Sequence, residues 1–372
     1  MKKKLRVGII AGGRSAEHEV SLQSAKNVMD ALDRERFEPV LVGIDKSGRW
    51  LLLDPGNFLL DADDPARISL CPSGSPAALL PHHAGIVSEA GIPAAVDVVF
   101  PILHGPYGED GTVQGLLKTA GIPFVGPSVL GSAVGMDKDV MKRLLRDAGI
   151  PMGKFIVLSS HEKIPLFEET AAFLGNPVFI KPANMGSSVG ISKVRNGEEY
   201  RAALEEAFRY DTKIVMEEFI RGRELECAVL GNREPIASLP GEVKSTHDFY
   251  SYNAKYLDEK GAVLEIPARL PGETVKEVQA LALKTFRVLC CEGLSRVDFF
   301  LCEDEGGGVS PAARPRLFVN EINTMPGFTR VSMYPKLWEA SGISYTELIS
   351  RLIDLAMERF KVEQSLKTSA VS

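Results

Sequence analysis

The stretch V319-N-E-I-N-T-M-P-G327, read together with R296-V-D-F-F300 upstream, decides how this chain folds. Side chains alternate across a strand, so Arg296 and Asp298 share one face of the first run, and Glu321 and Asn323 share one face of the second. Val297, Phe299 and Ile322 then point the other way, into a core, in the period-2 pattern of half-buried strands. If the two strands are neighbours, Asp298 and Glu321 come within a few ångströms of each other. Two bare carboxylates that close repel by about 4 kcal/mol at an effective dielectric near 20, and a cation reverses the sign. Two carboxylates plus an amide oxygen are hard ligands, suited to Mg²⁺ held with substrate phosphates rather than to zinc or copper. Ion pairs with Arg296 or nearby lysines are the structural alternative.

A chain of 372 residues is too long for one core, and two or three domains are expected. Its 45% hydrophobic and 25% charged content is that of a water-soluble globular protein. A net charge of -6 argues against a nucleic-acid partner or an anionic membrane surface. The five cysteines are odd in number and lack a CxxC, which points to neither a disulfide framework nor a zinc site and fits reduced thiols in the cytosol. The opening MKKKLR resembles a secretory n-region, but the apolar run from Val7 to Ala11 is cut short by Gly12-Gly13-Arg14. No stretch approaches the roughly 20 apolar residues of a membrane span.

Along the chain, Leu5 to Ile10 reads as a buried strand, followed by Gly12-Gly13 and the helical SAEHEVSLQSAKNVMDAL with Ser15 as N-cap. No GxGxxG is present, and Glu17 sits where a pyrophosphate would be repelled. It suits an amine-bearing ligand, or serves as a helix-start acid favoured by the dipole. Strands are expected at Pro39 to Ile44 and Val96 to Leu103. The second ends in HGPYGEDGTVQG, with His104 where open α/β sheets bind ligands and Asp110 capping a helix from Thr112 to Thr119. Asp54 to Pro93 reads as an elaborated connection. A domain boundary is expected near Gly126 to Gly135. Asp137 should cap a helix to Ala148, and Lys138 in its first turn is misplaced against the dipole unless a phosphate sits there.

Lys181, at the end of a strand from Val178, leads into PANMGSSVG (Pro182 to Gly190), which offers a charge, backbone N–H groups and hydroxyls to a phosphate. It is not a Walker loop, because GxxxxGK[ST] is missing. Lys213 to Gly231 reads as two strands around Arg221-Gly222, with Glu217 and Glu224 able to accept hydrogen bonds from an adenine amine and a ribose hydroxyl. The polar, aromatic segment from Gly241 to Gly261, with Lys255 beside Tyr256, is a long connection of the kind that is either a functional lid or disordered. Residues Cys302 to Arg316 read as a solvated insertion. Helical stripes are expected at Val278, Leu281, Ala282, Thr285 and Leu289, and again at Leu348, Ile349, Leu352, Ile353 and Ala356.

Taken in order, GGRSAEHEVSLQSAK, HGPYGEDGTVQG, MDKDVMKRLL, KPANMGSSVG, EEFIRGRELECAVLG, DFYSYNAKY, RVDFF and NEINTMPGFTRVSMYPKLW make the chain resemble the D-alanine-D-alanine ligases of the ATP-grasp superfamily over nearly its whole length. The resemblance implies an α/β fold, α+β in parts. An open parallel-sheet domain (1–130) would hold the first D-alanine, followed by a central ATP-grasp domain (131–240). A C-terminal mixed-sheet domain (241–372) would carry the lid and metal site. It implies that Lys138, Lys181 and Lys255 contact ATP phosphates, and that Glu217 and Glu224 meet adenine and ribose. Asp298, Glu321 and Asn323 would hold two Mg²⁺, with Mn²⁺ able to replace them.

Glu17 would pair with the ammonium of the first D-alanine and form a triad with Ser187 and Tyr256, and His104 would line that pocket. Arg296 and the Gly327 N–H would make an oxyanion hole, while Ser332 and Met333 would receive the second substrate. The implied reaction makes D-alanyl-D-alanine through an acyl phosphate, releasing ADP and phosphate, in a cytoplasmic homodimer whose partners are D-alanine and ATP, with no nucleic acid or membrane. Arg330-Val331 departs from the pattern, standing where a small polar residue and Ile are commoner. Tyr256 favours the dipeptide over D-alanyl-D-lactate. Competing readings are a ligase for another amino-acid pair, a NAD-dependent oxidoreductase, which the missing glycine fingerprint opposes, and a non-catalytic nucleotide sensor.

Overall fold

A computed structural model describes residues 3–80, 85–88, 93–245, 262–302, 316–367 and 369. The first layer is built on β1 (Leu5–Gly12), followed by α1 (His18–Ala31), β2 (Phe37–Ile44) and β3 (Trp50–Leu53). Then come the small pair β4 (Leu59–Leu60) and β5 (Ser69–Leu70), strands β6 (Ser75–Leu80), β7 (Gly85–Ser88), β8 (Pro93–Ala95) and β9 (Val98–Ile102), and helix α2 (Thr112–Thr119). β1 is apolar almost throughout because it is covered on both faces and pairs in parallel with β2 and β9. The seven strands run β8-β7-β6-β3-β2-β1-β9, with antiparallel pairing from β2 outward. Within 54 to 93, residues expected as an elaborated connection therefore widen this sheet through β6, β7 and β8, while others pair as β4 and β5. Their strands are two to six residues long, too short to show a period.

The start of α1 differs from expectation. Glu17 occupies the N-cap position, while the Ser15 hydroxyl accepts the Glu17 N–H at 3.0 Å. The turn thereby leaves the Glu17 carboxylate to project away from the helix end. At α2 the N-cap is Gly111 (φ 94°), and Asp110 instead accepts the N–H groups of Tyr107 and Thr112 at 2.8 and 2.9 Å.

Helices α3 (Val129–Met136) and α4 (Lys138–Asp147) lead into a second, antiparallel sheet. It comprises β10 (Phe155–Ser159), β11 (Val178–Pro182), β12 (Ser192–Val194) and β13 (Lys213–Glu218), in the order β10-β13-β11-β12, with α5 (Phe167–Leu174) and α6 (Gly197–Ala207) between its strands in sequence. Asp137 caps α4 by accepting the Val140 N–H at 3.0 Å.

β14 (Arg223–Gly231) does not close a hairpin with β13 but pairs with a later strand, so the chain changes sheet at Arg221-Gly222. The third sheet holds β14, β15 (Ile236–Ala237), β16 (Gly241–Ser245), β17 (Ala262–Glu265), β18 (Gly293–Cys302) and β19 (Arg316–Asn323). Helix α7 (Gly272–Val288) packs Val278, Ala282 and Thr285 against it, followed by α8 (Met333–Ala340) and α9 (Tyr345–Gln364). The stripe Leu348, Ile349, Leu352, Ile353 and Ala356 of α9 is buried, as its spacing predicts. One core joins Ile9 and Phe100 of the first sheet to Phe328, Tyr334, Trp338 and Ile353, fixing the ends of β1 and β9 against the loop after β19.

Candidate active site

The opening reading of β18 and β19 holds in register. Arg296 pairs with Asn323, Val297 with Ile322 and Asp298 with Glu321. Val297, Phe299 and Ile322 are buried beneath them. The register shifts between Asp298 and Phe299, leaving Asn320 as the additional residue on β19, and such bulges re-aim side chains next to functional sites. Arg296 donates to both Asp298 oxygens at 2.7 Å, and Asn323 Nδ2 donates to Asp298 Oδ2 at 2.9 Å. Glu226, opposite Asp298 on β14, lies 2.7 Å from Arg296 Nε. Glu226 was not singled out from the sequence, although the alternation in RELECAVLG puts it on the same face as Glu224. Among the described residues no three His, Cys, Asp or Glu are gathered to hold a metal. The set at hand is two facing acids and an amide, an all-oxygen set that fits Mg²⁺ if phosphate and water complete the shell.

On one side of this wall lies a cleft lined by Lys138, Lys181, Ser187, Ser188, Glu217, Glu224, Phe300, Asn320 and Glu321. Lys138 Nζ donates to the Met185 carbonyl at 2.6 Å and stands 3.9 Å from Glu321. Glu217, expected to meet adenine, is clamped between cations: Lys181 Nζ is 2.9 Å from one oxygen and Lys142 Nζ 3.3 Å from the other. Burial pushes the Glu217 carboxyl up, but the charges of Lys142 and Lys181 overcome it and hold the group down at about 2. Lys142 was missed because a lysine in KDVMKRLL reads as solvated; its only signal is the i, i+4 spacing from Lys138.

On the other side is a second cleft, lined among others by Glu17, His104, Glu109, Ser187, Glu226, Arg296, Gly327, Ser332 and Met333. The Ser187 hydroxyl donates to Glu17 in a short hydrogen bond. A Cβ at Gly186 would stand 3.0 Å from the Glu17 carboxylate, which would have to give by a few tenths of an ångström, so the glycine lets the loop approach closely. His104 Nδ1 lies 3.0 Å from the Met325 carbonyl, which can only accept, so Nδ1 carries the proton and Nε2 faces the Ser24 hydroxyl at 3.2 Å. Ser24 accepts the Phe328 N–H at 3.1 Å. Burial pushes His104 down to about 4, against the Met325 hydrogen bond, and the ring is neutral. It thus ties the loop bearing Gly327 to α1 as well as lining the cleft. A Cβ on Gly327 would stand 2.7 Å from the Ser332 hydroxyl, which itself accepts the Thr329 N–H at 2.9 Å.

Glu109 is a further residue missed from the sequence. It accepts the N–H groups of Gly105 and Met325 at 2.8 and 3.3 Å, and burial together with the neighbouring Glu17 charge pushes it up to about 8. The two clefts share Gly186, Ser187 and Glu321. Lys255 and Tyr256 lie outside the described residues, as do the rest of the expected lid from 246 to 261 and the insertion from 303 to 315.

A lysine-walled cleft between two sheets, meeting an acid-walled pocket at the strand ends of an α/β layer, defines an enzyme of the ATP-grasp type. The family description "D-ala D-ala ligase N-terminus" matches residues 6–127, and "D-ala D-ala ligase C-terminus" matches 144–354. The chain is 52% identical over 372 residues to D-alanine–D-alanine ligase A of Escherichia coli K12, covering 99% of this chain and 100% of that one. The solved D-alanine-D-alanine ligase of Coxiella burnetii superposes with a TM-score of 0.82 at 37% identity over 97% of both chains. The VanG D-Ala:D-Ser ligase of Enterococcus faecalis superposes at 0.81 with 36% identity, covering 95% of this chain and 100% of that one. This chain belongs to the D-alanine–D-alanine ligase family.

Proposed function

We propose that the chain joins two D-alanines into D-alanyl-D-alanine at the expense of ATP, supplying the dipeptide for peptidoglycan precursors. The observation that carries this reading is the meeting of the two clefts at Gly186, Ser187 and Glu321. A phosphate held by lysines on one side faces an ammonium held by Glu17 on the other. The first D-alanine binds through its ammonium to Glu17, positioned by Ser187 and, from outside the described residues, Tyr256. Its carboxylate oxygen attacks the γ-phosphorus, and the bond to ADP breaks. Lys138 and Lys181, with Lys255 outside the described residues, offset the charge on the phosphates, while Glu217 and Glu224 lie toward adenine and ribose. Asp298, Glu321 and Asn323 would hold two Mg²⁺, or Mn²⁺, which when bound neutralise phosphate oxygens and align them.

The second D-alanine, received at Ser332 and Met333, attacks the acyl carbon with its free amine. The carbonyl becomes an oxyanion between Arg296 and the Gly327 N–H, and then expels phosphate. A donor of this kind is worth about 3 to 4 kcal/mol. Glu226 and Asp298 fix the Arg296 guanidinium, and His104 fixes the Gly327 loop. Residues 1–130 are assigned to the first substrate, 131–240 to the nucleotide and 241–372 to metal and lid, with β14 and β15 as the parts of the middle stretch that join the third sheet. The enzyme is placed in the cytoplasm, where ATP is available, as a homodimer, following the family resemblance.

The test is phosphate release from ATP and Mg²⁺ with D-alanine, L-alanine, or D-alanine plus D-serine or D-lactate, each product identified by mass. D-alanine alone should give phosphate and the dipeptide. A dipeptide formed only with another acceptor would overturn the assignment of Ser332 and Met333.

A further inference from the structure

We infer that Lys142 is a positioning residue for the nucleotide, acting through Glu217 to keep the Lys181 ammonium aimed at the phosphates and a net positive charge facing them. Lys142 is 2% exposed and is not among the residues lining the nucleotide cleft, so it reaches the ligand only through another group. A lysine this deep is rarely tolerated without a partner. Its neighbours Met141 and Leu145 already supply the apolar packing of α4, both fully buried. What Lys142 adds is a charge on the far side of Glu217: its Nζ is 3.3 Å from Oε1, while Lys181 takes Oε2 at 2.9 Å.

Glu217 and Lys181 sit two residues apart across the β11–β13 pairing, on one face, so their contact is built into the sheet. With Lys181 as sole partner, the carboxylate would cancel the charge meant for the phosphate and draw the ammonium back toward the sheet. With Lys142 behind it, one carboxylate is shared between two cations and a net positive charge remains. The Lys142 ammonium is otherwise 5.9 Å from the Phe155 ring.

This inference rests on the reading of the cleft as the ATP site, and the test separates the two. Full-length Lys142→Met, Lys142→Arg, Glu217→Gln and the double variant Lys142→Met/Glu217→Gln are compared for affinity toward Mg²⁺–ATP and adenosine and for KM of D-alanine. Lys142→Met should weaken ATP at least tenfold while adenosine affinity and the D-alanine KM stay within twofold. Lys142→Arg should recover most of the loss, and Lys142→Met should add less than twofold in the Glu217→Gln background. If Lys142→Met does not fold, Lys142→Gln carries the same comparison. Equal losses for ATP and adenosine, additive effects in the double variant, or unchanged ATP affinity would overturn the positioning role while the ATP site stands. Wild-type protein that fails to bind ATP would overturn both.

Discussion

Glu217 and Glu109 are the same residue type, 7% and 8% exposed, on the walls of adjoining clefts, yet one is held at about 2 and the other at about 8. Burial alone raises a carboxyl, so depth does not distinguish them. The neighbours do: two lysine ammoniums around Glu217, and the Glu17 carboxylate beside Glu109. The lesson is one of division of labour. In the nucleotide cleft the buried acid is surrounded by lysines, whereas the substrate cleft gathers acid on acid, a surplus suited to a cationic ligand.

The wall between the clefts should carry the largest effect. Arg296→Ala is expected to fold, with an unfolding temperature near wild type, and to lose about 10²- to 10³-fold in turnover, the loss typical of removing one oxyanion donor. Near-normal steady-state rates would break the comparison at its centre. Next come the two cleft-specific variants. Lys181→Met should raise the KM of ATP with little change for D-alanine, and Glu17→Gln should do the reverse. Each shift is about 10- to 100-fold, the worth of a charge-assisted hydrogen bond. A variant that raised both constants together would show that the clefts are not separately tuned.

Smaller effects appear in stability against pH. The folded state holds the Glu109 proton up to about 8 while the unfolded chain releases it near 4.5, so this residue costs stability progressively as pH rises through that window. Glu109→Gln should therefore gain in melting temperature relative to wild type between pH 5 and pH 8.5, and a constant difference would contradict the raised value. Glu217 has the opposite sign. Its folded value near 2 makes its contribution fully present above about 4.5 and lost as pH falls toward 2, so Glu217→Gln should be destabilised at pH 7 and blunt the acid sensitivity below 4.5.

The shared face of Arg296, Asp298, Glu321 and Asn323 was legible from sequence because alternation in RVDFF and VNEIN needs only local geometry, and the register placed Asp298 opposite Glu321 as that pattern requires. The cap of α4 was equally local. What escaped depends on the tertiary structure. Glu109 and Lys142 look like solvated charges until the fold buries them, and Glu217 looked like a free acceptor until two lysines from different elements closed on it. The strands between residues 54 and 93 are too short to announce a period, and a turn at Arg221-Gly222 cannot reveal that the strands flanking it belong to different sheets.

The most direct test of two clefts joined by one reaction is to follow oxygen. With D-alanine labelled in its carboxylate by ¹⁸O, turnover with unlabelled ATP and Mg²⁺ should transfer one labelled oxygen to each phosphate released, because the attacking carboxylate oxygen leaves with phosphorus when the amine displaces it. Phosphate free of label alongside dipeptide formation would show that no acyl phosphate links the clefts, and the proposed mechanism would fall.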